Sequence, residues 1–535
     1  LYQSLVTNND WTNAIRQLII DHSNRSLIKI NFPKGDYRFG RIDFVEKDIT
    51  IDGKGSTFYQ IENQPLFNFA SGYSDSMDVQ TLESTRSGDS KSQTIVNMVS
   101  SNHGIVSGDV VKIYSSDLIP ERHVDRRYLG EFASVKKVEG NKITLNTLLI
   151  DFSLYTSSMK LVKFNKRCFN AYNFKTDVDK TITGWETWTR PSIRTYGGFK
   201  HKYKDIIGIN TSGPLLELNS VFIYDAENVE GHNLPNDPTT SRYGYVVNDI
   251  GSTLGTLKNL SGYNVRHVFT TNSFTSSDTE VSVFSGRTTY ARVNGKAFGC
   301  GNAGFDTHPE ARYIEFVDCY VENSEQGYQS RSTDTKFKNC KARSCRDSYL
   351  FTGADNSPAS VNNLRDNELD NCESLFPNRK SISQTTNSDN PSGLTIKGGF
   401  YHIGNNAYGG LFAFDIKSSG IYLKKGVTLS VPSNSLLSGY IAMIRFGKEL
   451  FMDDVVFDIQ NNKFGTTDVL VPLVNTKVRG RNIEIIRGTS QLNRFLRGTD
   501  FTVDGKLRGV LIDNPIPLTL FTGITGTSYI QVESW

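Results

Sequence analysis

Two short stretches, Gly304-Phe-Asp-Thr307 and Gly327-Tyr-Gln-Ser330, repeat one pattern 23 residues apart. A second pattern, in which Asn or Asp precedes an apolar residue or cysteine, recurs five times. Its members are Asn228-Val-Glu-Gly231, Asn259-Leu-Ser-Gly262, Asp318-Cys-Tyr-Val321, Asn339-Cys-Lys-Ala342 and Asn371-Cys-Glu-Ser374. The closest of these are 21 residues apart. Repeats at such a spacing indicate structural units that stack on one another.

The segments between these marks alternate apolar and polar residues, as in Tyr313-Ile-Glu-Phe-Val317 and Thr335-Lys-Phe-Lys-Asn339. Alternation over short runs, with Gly, Asn and Ser between them, is typical of half-buried strands. Each turn buries its apolar face only by stacking on its neighbours. The sequence therefore predicts an all-β fold, a right-handed parallel β-helix. The Asn and Asp positions would form a column at one corner, and Cys319, Cys340 and Cys372 an internal ladder.

Four segments follow along the chain. Residues 1–70 contain an amphipathic helix, Asp10 to Ile20, that caps the first turns of the coil. Residues 71–165 break the repeat and contain the signals of antiparallel hairpins, which predicts an inserted small β module. Residues 166–420 form the central coil that carries the site. Residues 421–535 add the last turns and a segment, Pro515 to Trp535, that seals the coil or clasps partner subunits.

Composition excludes several classes of protein. The 535 residues are 37% hydrophobic, enough for a large core. A net charge of +3 argues against a general nucleic-acid binder. No apolar run approaches the ~18 residues of a membrane-spanning helix, so no membrane insertion is expected. The six cysteines have no C-x-x-C spacing, which predicts buried thiols, and neither a metal site nor a cofactor is predicted. Since the chain begins at Leu1, we expect an N-terminal part to be missing.

Four stretches of the chain resemble bacteriophage tailspikes, the pectate-lyase-like polysaccharide depolymerases. They are Asn31-Phe-Pro-Lys-Gly-Asp-Tyr37 with Ile51-Asp-Gly-Lys-Gly55, Gly108-Asp-Val-Val-Lys112, Arg266-His-Val-Phe-Thr-Thr271, and Gly304-Phe-Asp-Thr-His-Pro-Glu310. The resemblance implies a homotrimer on the phage virion, attached to the tail through the missing N-terminal part. It implies that the protein binds and cleaves a capsular or O-antigen polysaccharide at the surface of the host bacterium.

The strand that begins at Gly304 carries the candidate chemistry. Period two places Phe305 on the inner face, and Asp306 and His308 on the outer face. In the same register of the next turn, Gln329 lies near Asp306 and Arg331 near His308. Adjacent turns are about 4.8 Å apart, so we expect these side chains to form one cluster.

Glycoside hydrolysis needs an acid for the leaving oxygen and a second carboxylate that activates water or attacks directly. Asp306 and Glu310 are the first candidate pair, with Glu325 in reserve. His308 could hold one carboxylate in its working protonation state or contact the substrate. Arg331 could bind an acidic sugar through a fork of hydrogen bonds.

Further residues are candidates for substrate binding. Gln329 and Tyr328 share the site strand of the next turn, and His267 belongs to an earlier strand of the same sheet. Trp185 and Trp188 supply aromatic faces that can stack on sugar rings. Packing of their loop onto the coil is the competing interpretation.

Two other functions remain open. A polysaccharide lyase needs a base to remove a proton beside a uronate carboxylate and a cation to stabilise the resulting enolate. His308 and Arg331 suit that reaction. The second alternative is a receptor-binding fibre that has no catalytic activity.

Overall fold

The computed structural model describes residues 2–86, 92–122, 127–274, 281–352, 366–384, 393–404, 412–416, 420–433, 441–447, 449–462, 466–472, 476–497, 503–512, 521–522 and 529–534. The chain forms two compact units, Leu1–Arg292 and Val293–Trp535. The boundary between the two units, Arg292 to Val293, falls within the strand Thr289–Phe298.

The first unit contains parallel strands in two sheets. Strands of sheet A are Leu27–Asn31, Asp36–Phe39, Asp48–Gln60, Phe169–Val178, Phe199–Ile209, Phe222–His232 and Thr253–Tyr263. Strands of sheet B are Ile42–Val45, Phe67–Ala70, Ile193–Tyr196, Leu216–Asn219, Tyr245–Ile250 and His267–Asn272. A two-stranded antiparallel hairpin, Asn236–Asp237 with Arg242–Tyr243, lies in sequence between the strands Phe222–His232 and Tyr245–Ile250.

The second unit repeats this arrangement. Its sheet A strands are Glu315–Val317, Tyr320–Glu322, Lys336–Lys338, Lys341–Arg343, Asn367–Asp370, Glu373–Leu375, Gly393–Lys397, Phe400–His402, Gly420–Ser430, Glu449–Asp458, Thr476–Ile486, Val503–Ile512 and Tyr529–Ser534. Its sheet B strands are Ala303–Thr307, Gln326–Ser330, Asp347–Phe351, Lys380–Gln384, Phe412–Ile416, Ile441–Phe446, Thr466–Pro472, Gln491–Arg497 and Phe521–Thr522. Along the chain, one or two strands of sheet A are followed by one strand of sheet B, and strands pair in parallel with their counterparts one turn later. The predicted parallel β-helix is confirmed.

The corner column is also present. Asp318, Asn339 and Asn371 all adopt the left-handed conformation, with φ between 51° and 52°. Asn339 Nδ2 donates to Asp318 Oδ1 at 2.9 Å, and Asn371 Nδ2 donates to Asn339 Oδ1 at 3.1 Å. In the first unit, Asn259 donates in the same way to Asn228. Asn and Asp tolerate this backbone conformation better than other side chains, which explains their recurrence.

In the second unit, Asp318, Asn339 and Asn371 are each followed by a cysteine that points into the core. Cys319, Cys340 and Cys372 are buried free thiols. Their Sγ atoms donate to backbone carbonyl oxygens of the preceding turn at 3.3–3.4 Å. The internal ladder predicted from the sequence is therefore present.

The predicted N-terminal helix extends over Thr12–Asp21. Asp10 Oδ1 accepts hydrogen bonds from the backbone N–H and the hydroxyl of Thr12 and holds the helix start. Trp11 packs edge-on against Tyr37 of the first turns. Short 3-10 helices are Gln3–Leu5, Pro120–Arg122, Phe152–Leu154, Trp185–Thr187 and Pro238–Thr240. Among the described residues, no helix has the length and apolar character needed to span a membrane.

A closed antiparallel barrel interrupts the first unit's coil. Its strands are Met77–Arg86, Ser92–Met98, Val110–Leu118, Tyr128–Glu139, Lys142–Leu145 and Lys160–Phe164. The barrel has a core of its own, built from residues such as Val96, Ile113 and Leu161. At the other end of the chain, most of Pro515–Trp535 lies outside the described residues, so its predicted sealing role stays a prediction.

Burial of His201 predicts a pH dependence of stability. Its Nδ1 accepts the Phe169 N–H at 2.9 Å, and its Nε2 lies 3.0 Å from the Gly197 carbonyl oxygen, which fits a neutral ring protonated on Nε2. Burial lowers the pKa of His201 to about 4 from 6.5. The folded state therefore binds this proton less readily than the unfolded state. Its contribution is complete above pH 6.5 and is lost as the pH falls towards 4, by about 3 kcal/mol in all.

We expect the thermal midpoint of the wild-type protein to fall across this pH interval, and the His201→Gln variant to lack that component. His22→Gln, at an exposed position after the helix, is the matched control and should follow the wild-type curve. Parallel curves for wild type and His201→Gln would contradict the assignment.

Candidate functional site

The site strands of the second unit are Ala303–Thr307 and Gln326–Ser330. They pair in parallel, with Phe305 opposite Tyr328 and Asp306 opposite Gln329. The Phe305 ring is fully buried and stacks on Tyr328 at a centroid distance of 5.7 Å. Because side chains alternate along a strand, Asp306 is directed to the outer face of the sheet, as predicted.

Asp306 is nevertheless fully buried, because side chains of the same face cover it. Arg331 Nη2 donates to Asp306 Oδ2 at 2.7 Å, and Arg331 Nε donates to the Thr307 carbonyl oxygen at 3.3 Å. His308 Nε2 lies 3.6 Å from the same Asp306 oxygen. The prediction of a solvent-facing Asp306 is therefore wrong, although the predicted cluster of Asp306, His308 and Arg331 forms.

His308 and Arg331, and not the Asp306 carboxylate, are the parts of this cluster that reach the surface. The His308 side chain is 16% exposed and the Arg331 side chain is 12% exposed. Gln329 lies beside them, half-buried. Arg331 offsets the charge of Asp306, whose burial would otherwise be very unfavourable. A ligand at this surface would meet an imidazole and a guanidinium, with the carboxylate behind them.

Glu310 is also fully buried. It follows Pro309, beyond the end of the strand, where Ala311 N–H donates to the His308 carbonyl oxygen in a turn. Both carboxylates of the predicted catalytic pair are therefore shielded from solvent.

Glu325 lies at the other end of the site strand. Glu325 precedes Gln329, which is paired with Asp306, by four residues. Four residues of extended chain correspond to about 13 Å between Glu325 and Gln329 along the strand. Its carboxylate pairs with Arg346, and its side chain is 41% exposed. The structure does not bring Glu325 to Asp306, so its role as a reserve catalytic residue is not supported.

Tyr328 is an interior residue. Its ring stacks between Phe305 and Tyr349, and its hydroxyl donates to the backbone carbonyl oxygens of Cys319 and Lys341 at 2.9 and 3.0 Å. Tyr328 cannot contact a glycan outside the coil. The prediction that Tyr328 binds substrate is wrong. The sequence contained the information to exclude it, because Tyr328 occupies the same position of its turn as the interior residue Phe305.

The other predicted binding residues belong to the first unit. His267 is buried, and its ring stacks on Tyr245 at 5.3 Å, so direct contact with a substrate is excluded by burial. Trp188 is also buried, which fits the competing interpretation of a packed loop. Trp185 is half-buried, with Lys180 Nζ 5.8 Å from its ring centre.

A second ion-pair cluster of the second unit was not predicted. Asp415 accepts two hydrogen bonds from Arg445, each at 2.6 Å, and one from Lys380. Burial alone would raise the pKa of Asp415, but these hydrogen bonds outweigh it and the pKa is lowered. An acidic residue inside the apolar strand Phe412–Ile416 was the available signal. In the part of the chain that is described, no three His, Cys, Asp or Glu side chains are placed to hold a metal ion.

Among known proteins, solved structures of phage tailspikes match the fold of this chain. No protein-family model matches the sequence. The solved tailspike protein gp49 from Pseudomonas phage LKA1 is 14% identical, with a TM-score of 0.58, over 93% of this chain and 76% of that one. The chain has the fold of a phage tailspike. The gp54 tailspike of Acinetobacter baumannii bacteriophage AP22, solved in complex with capsular saccharide, is also 14% identical, with a TM-score of 0.57, over 90% of this chain and 75% of that one. The tailspike resemblance predicted from four stretches is thus confirmed for the fold.

The buried pair of this tailspike fold predicts a non-additive pattern of stability. Arg331→Met leaves the Asp306 charge buried without its partner, which should cost about 3–5 kcal/mol. The double variant Asp306→Leu with Arg331→Met removes both charges and should recover much of that loss. Thermal midpoints by circular dichroism test this, and losses that simply add would contradict a buried ion pair.

Proposed function

We propose that the chain is a tailspike that binds and depolymerises a capsular or O-antigen polysaccharide of a host bacterium. The observation that carries the proposal is the cluster of Asp306, His308 and Arg331 on the outer face of a tailspike-type coil. A tailspike of this fold has been solved with a capsular saccharide bound, which supports a glycan as ligand. The proposal includes action as a homotrimer on the phage tail, at the host surface.

The exposed groups favour cleavage by elimination over hydrolysis by paired carboxylates. His308 and Arg331 reach the surface, whereas Asp306 and Glu310 do not. A general base must come within hydrogen-bond reach of the proton it removes. In this proposal Asp306 is a positioning residue: its charge, 3.6 Å from His308 Nε2, favours a proton on that nitrogen, and Nδ1 then acts as the base.

The proposed reaction acts on a uronate. His308 Nδ1 takes the proton from the carbon beside the carboxylate, and Arg331 stabilises the negative charge that develops on that carboxylate. The electron pair forms a carbon–carbon double bond as the bond to the glycosidic oxygen breaks. The leaving oxygen then takes a proton from solvent. No water is added across the cleaved bond.

Hydrolysis remains the competing mechanism. It would need Arg331 or His308 to move so that Asp306 could contact the sugar. Purified capsular and O-antigen polysaccharides, incubated with the intact protein in oxygen-18 water, distinguish the two. Elimination produces fragments with a near-UV absorbance and no label, whereas hydrolysis produces labelled fragments without that absorbance. Binding without any fragments would instead indicate a receptor-binding fibre.

The role of His308 can be tested separately. We expect His308→Gln to lower the rate of fragment release by at least about a hundredfold, the usual contribution of a general base. Thermal midpoint and glycan binding should remain close to those of the wild type. His22→Gln, far from the site in sequence and exposed, is the control. Full activity of His308→Gln would contradict the assignment.

A further inference from the structure

A corner of the first unit gathers residues from three turns of the coil. Sheet B register pairs Ile193 with Leu216 and Leu216 with Val247. The residues just before these strands therefore stack on one another as well. Arg266 N–H donates to the Gly244 carbonyl oxygen at 2.9 Å, which continues the stack by one more turn.

The hairpin Asn236–Asp237 with Arg242–Tyr243 extends from this corner. Arg242 Nε donates to the Trp188 carbonyl oxygen at 3.3 Å, which ties the hairpin to the tryptophan loop. Arg266 Nη1 donates to Asn236 Oδ1 at 2.6 Å, and its guanidinium lies 4.8 Å from the centre of the Tyr243 ring. Two arginines from different turns are thus held on the same small hairpin.

A stack of rings makes this arrangement rigid. Tyr243 lies parallel to Tyr245 at 6.2 Å, and Tyr245 lies nearly parallel to His267 at 5.3 Å. The two lower rings are buried, while Tyr243 is half-buried. His267 therefore forms the buried end of the ring stack that ends at Tyr243, which explains its burial. A preorganised guanidinium on an aromatic ring loses little further freedom when it binds a ligand.

The charges at this corner are unbalanced. Arg190, Arg242 and Arg266 form no ion pair within the described residues, and Arg266 Nε is buried with no hydrogen-bond partner there. The acidic residues of the same loops are Asp179, Glu186 and Asp237. Asp179 pairs with Arg38, and neither Glu186 nor Asp237 forms an ion pair with a described residue. The Asp237 carboxylate accepts hydrogen bonds from Thr239 and Thr240 in its own turn.

Other arginines of the described chain show the contrast. Arginines with a carboxylate partner include Arg194 with Glu217, Arg287 with Asp151, Arg379 with Asp347, Arg445 with Asp415 and Arg481 with Asp453. Partial burial of a charge without a partner is unfavourable. Two half-buried arginines at one corner, neither matched by a carboxylate of the described residues, therefore point to a ligand that supplies the missing anion.

We propose that this corner, formed by Trp188, Arg190, Arg242, Tyr243 and Arg266, is a binding subsite for a carboxylate-bearing sugar residue. Arg242 and Arg266 hold the carboxylate through charge-assisted hydrogen bonds. The exposed part of Tyr243 packs against the apolar C–H face of the ring. The inference rests on the proposed function, because it takes the ligand to be a glycan, and it specifies an acidic one.

Isothermal titration of the intact protein with a tetragalacturonate tests the subsite, with maltotetraose as the neutral counterpart. We expect the wild type to bind the acidic tetrasaccharide and to bind it less tightly as salt rises. Arg266→Gln and Arg242→Gln should each weaken binding about tenfold, the loss of one hydrogen bond to a charged group. Maltotetraose should bind at least about tenfold more weakly than tetragalacturonate.

Arg194→Gln is the matched control. Arg194 also lies over a tyrosine ring, at 5.9 Å from the centre of Tyr196, but its Nε bonds Glu217 Oε1 at 2.6 Å. We expect its affinity for tetragalacturonate to equal that of the wild type. Equal losses in all three variants, equal binding of both tetrasaccharides, or no binding by the wild type would each overturn the inference.

This assay requires no cleavage, so its result is independent of the chemistry proposed for His308. Binding that depends on Arg242 and Arg266 in a protein that releases no fragments would leave the subsite standing and remove the depolymerase proposal. Fragment release from an acidic polysaccharide, with binding unaffected by both substitutions, would do the reverse.

Discussion

In-register stacking of identical positions in successive turns is the constraint on which the rest of this structure depends. Phe305, Tyr328 and Tyr349 lie one above the other, with ring centres 5.7 and 4.9 Å apart, and the rings are fully buried. A shift by one residue would move these rings to solvent and their polar neighbours into the core. The aromatic column therefore fixes which side chains of each strand face outward, and with them the composition of the candidate site.

The corners allow variation that the sheets do not. At the column of Asp318, Asn339 and Asn371 the backbone turns sharply through a left-handed residue, and side-chain amides connect one turn to the next. Elsewhere the chain leaves the coil between strands and returns in register. The barrel of the first unit and the hairpin before Gly244 are both additions of this kind. Stacking is preserved because the excursion begins and ends outside the paired strands, so binding surfaces can be added at corners at little cost to the core.

Sequence periodicity was sufficient for the register of the site but not for its exposure. The alternation through Phe305 correctly placed Asp306 beside Gln329, and Arg331 in the same cluster. It could not show that the Arg331 side chain folds back over the carboxylate, because a long side chain has many rotamers and the sequence specifies none of them. The same period did contain the information that Tyr328 is internal. The period does not place Glu325 in the cluster, because Glu325 precedes the strand Gln326–Ser330 and Arg331 follows it.

The net charge of the chain gives no indication of the group of arginines at one corner of the first unit that lack carboxylate partners among the described residues. The net charge of the whole chain is only +3. Arg194, Arg379 and Arg445 each form an ion pair with a carboxylate of a neighbouring turn. Such matching follows from the stack, since residues one turn apart are near neighbours. Arg266 departs from it: the position one turn earlier is Gly244, whose backbone accepts a hydrogen bond but carries no charge. Where this pairing stops, an anionic ligand can supply the missing charge, and this is the basis of the subsite that we propose at Arg242 and Arg266.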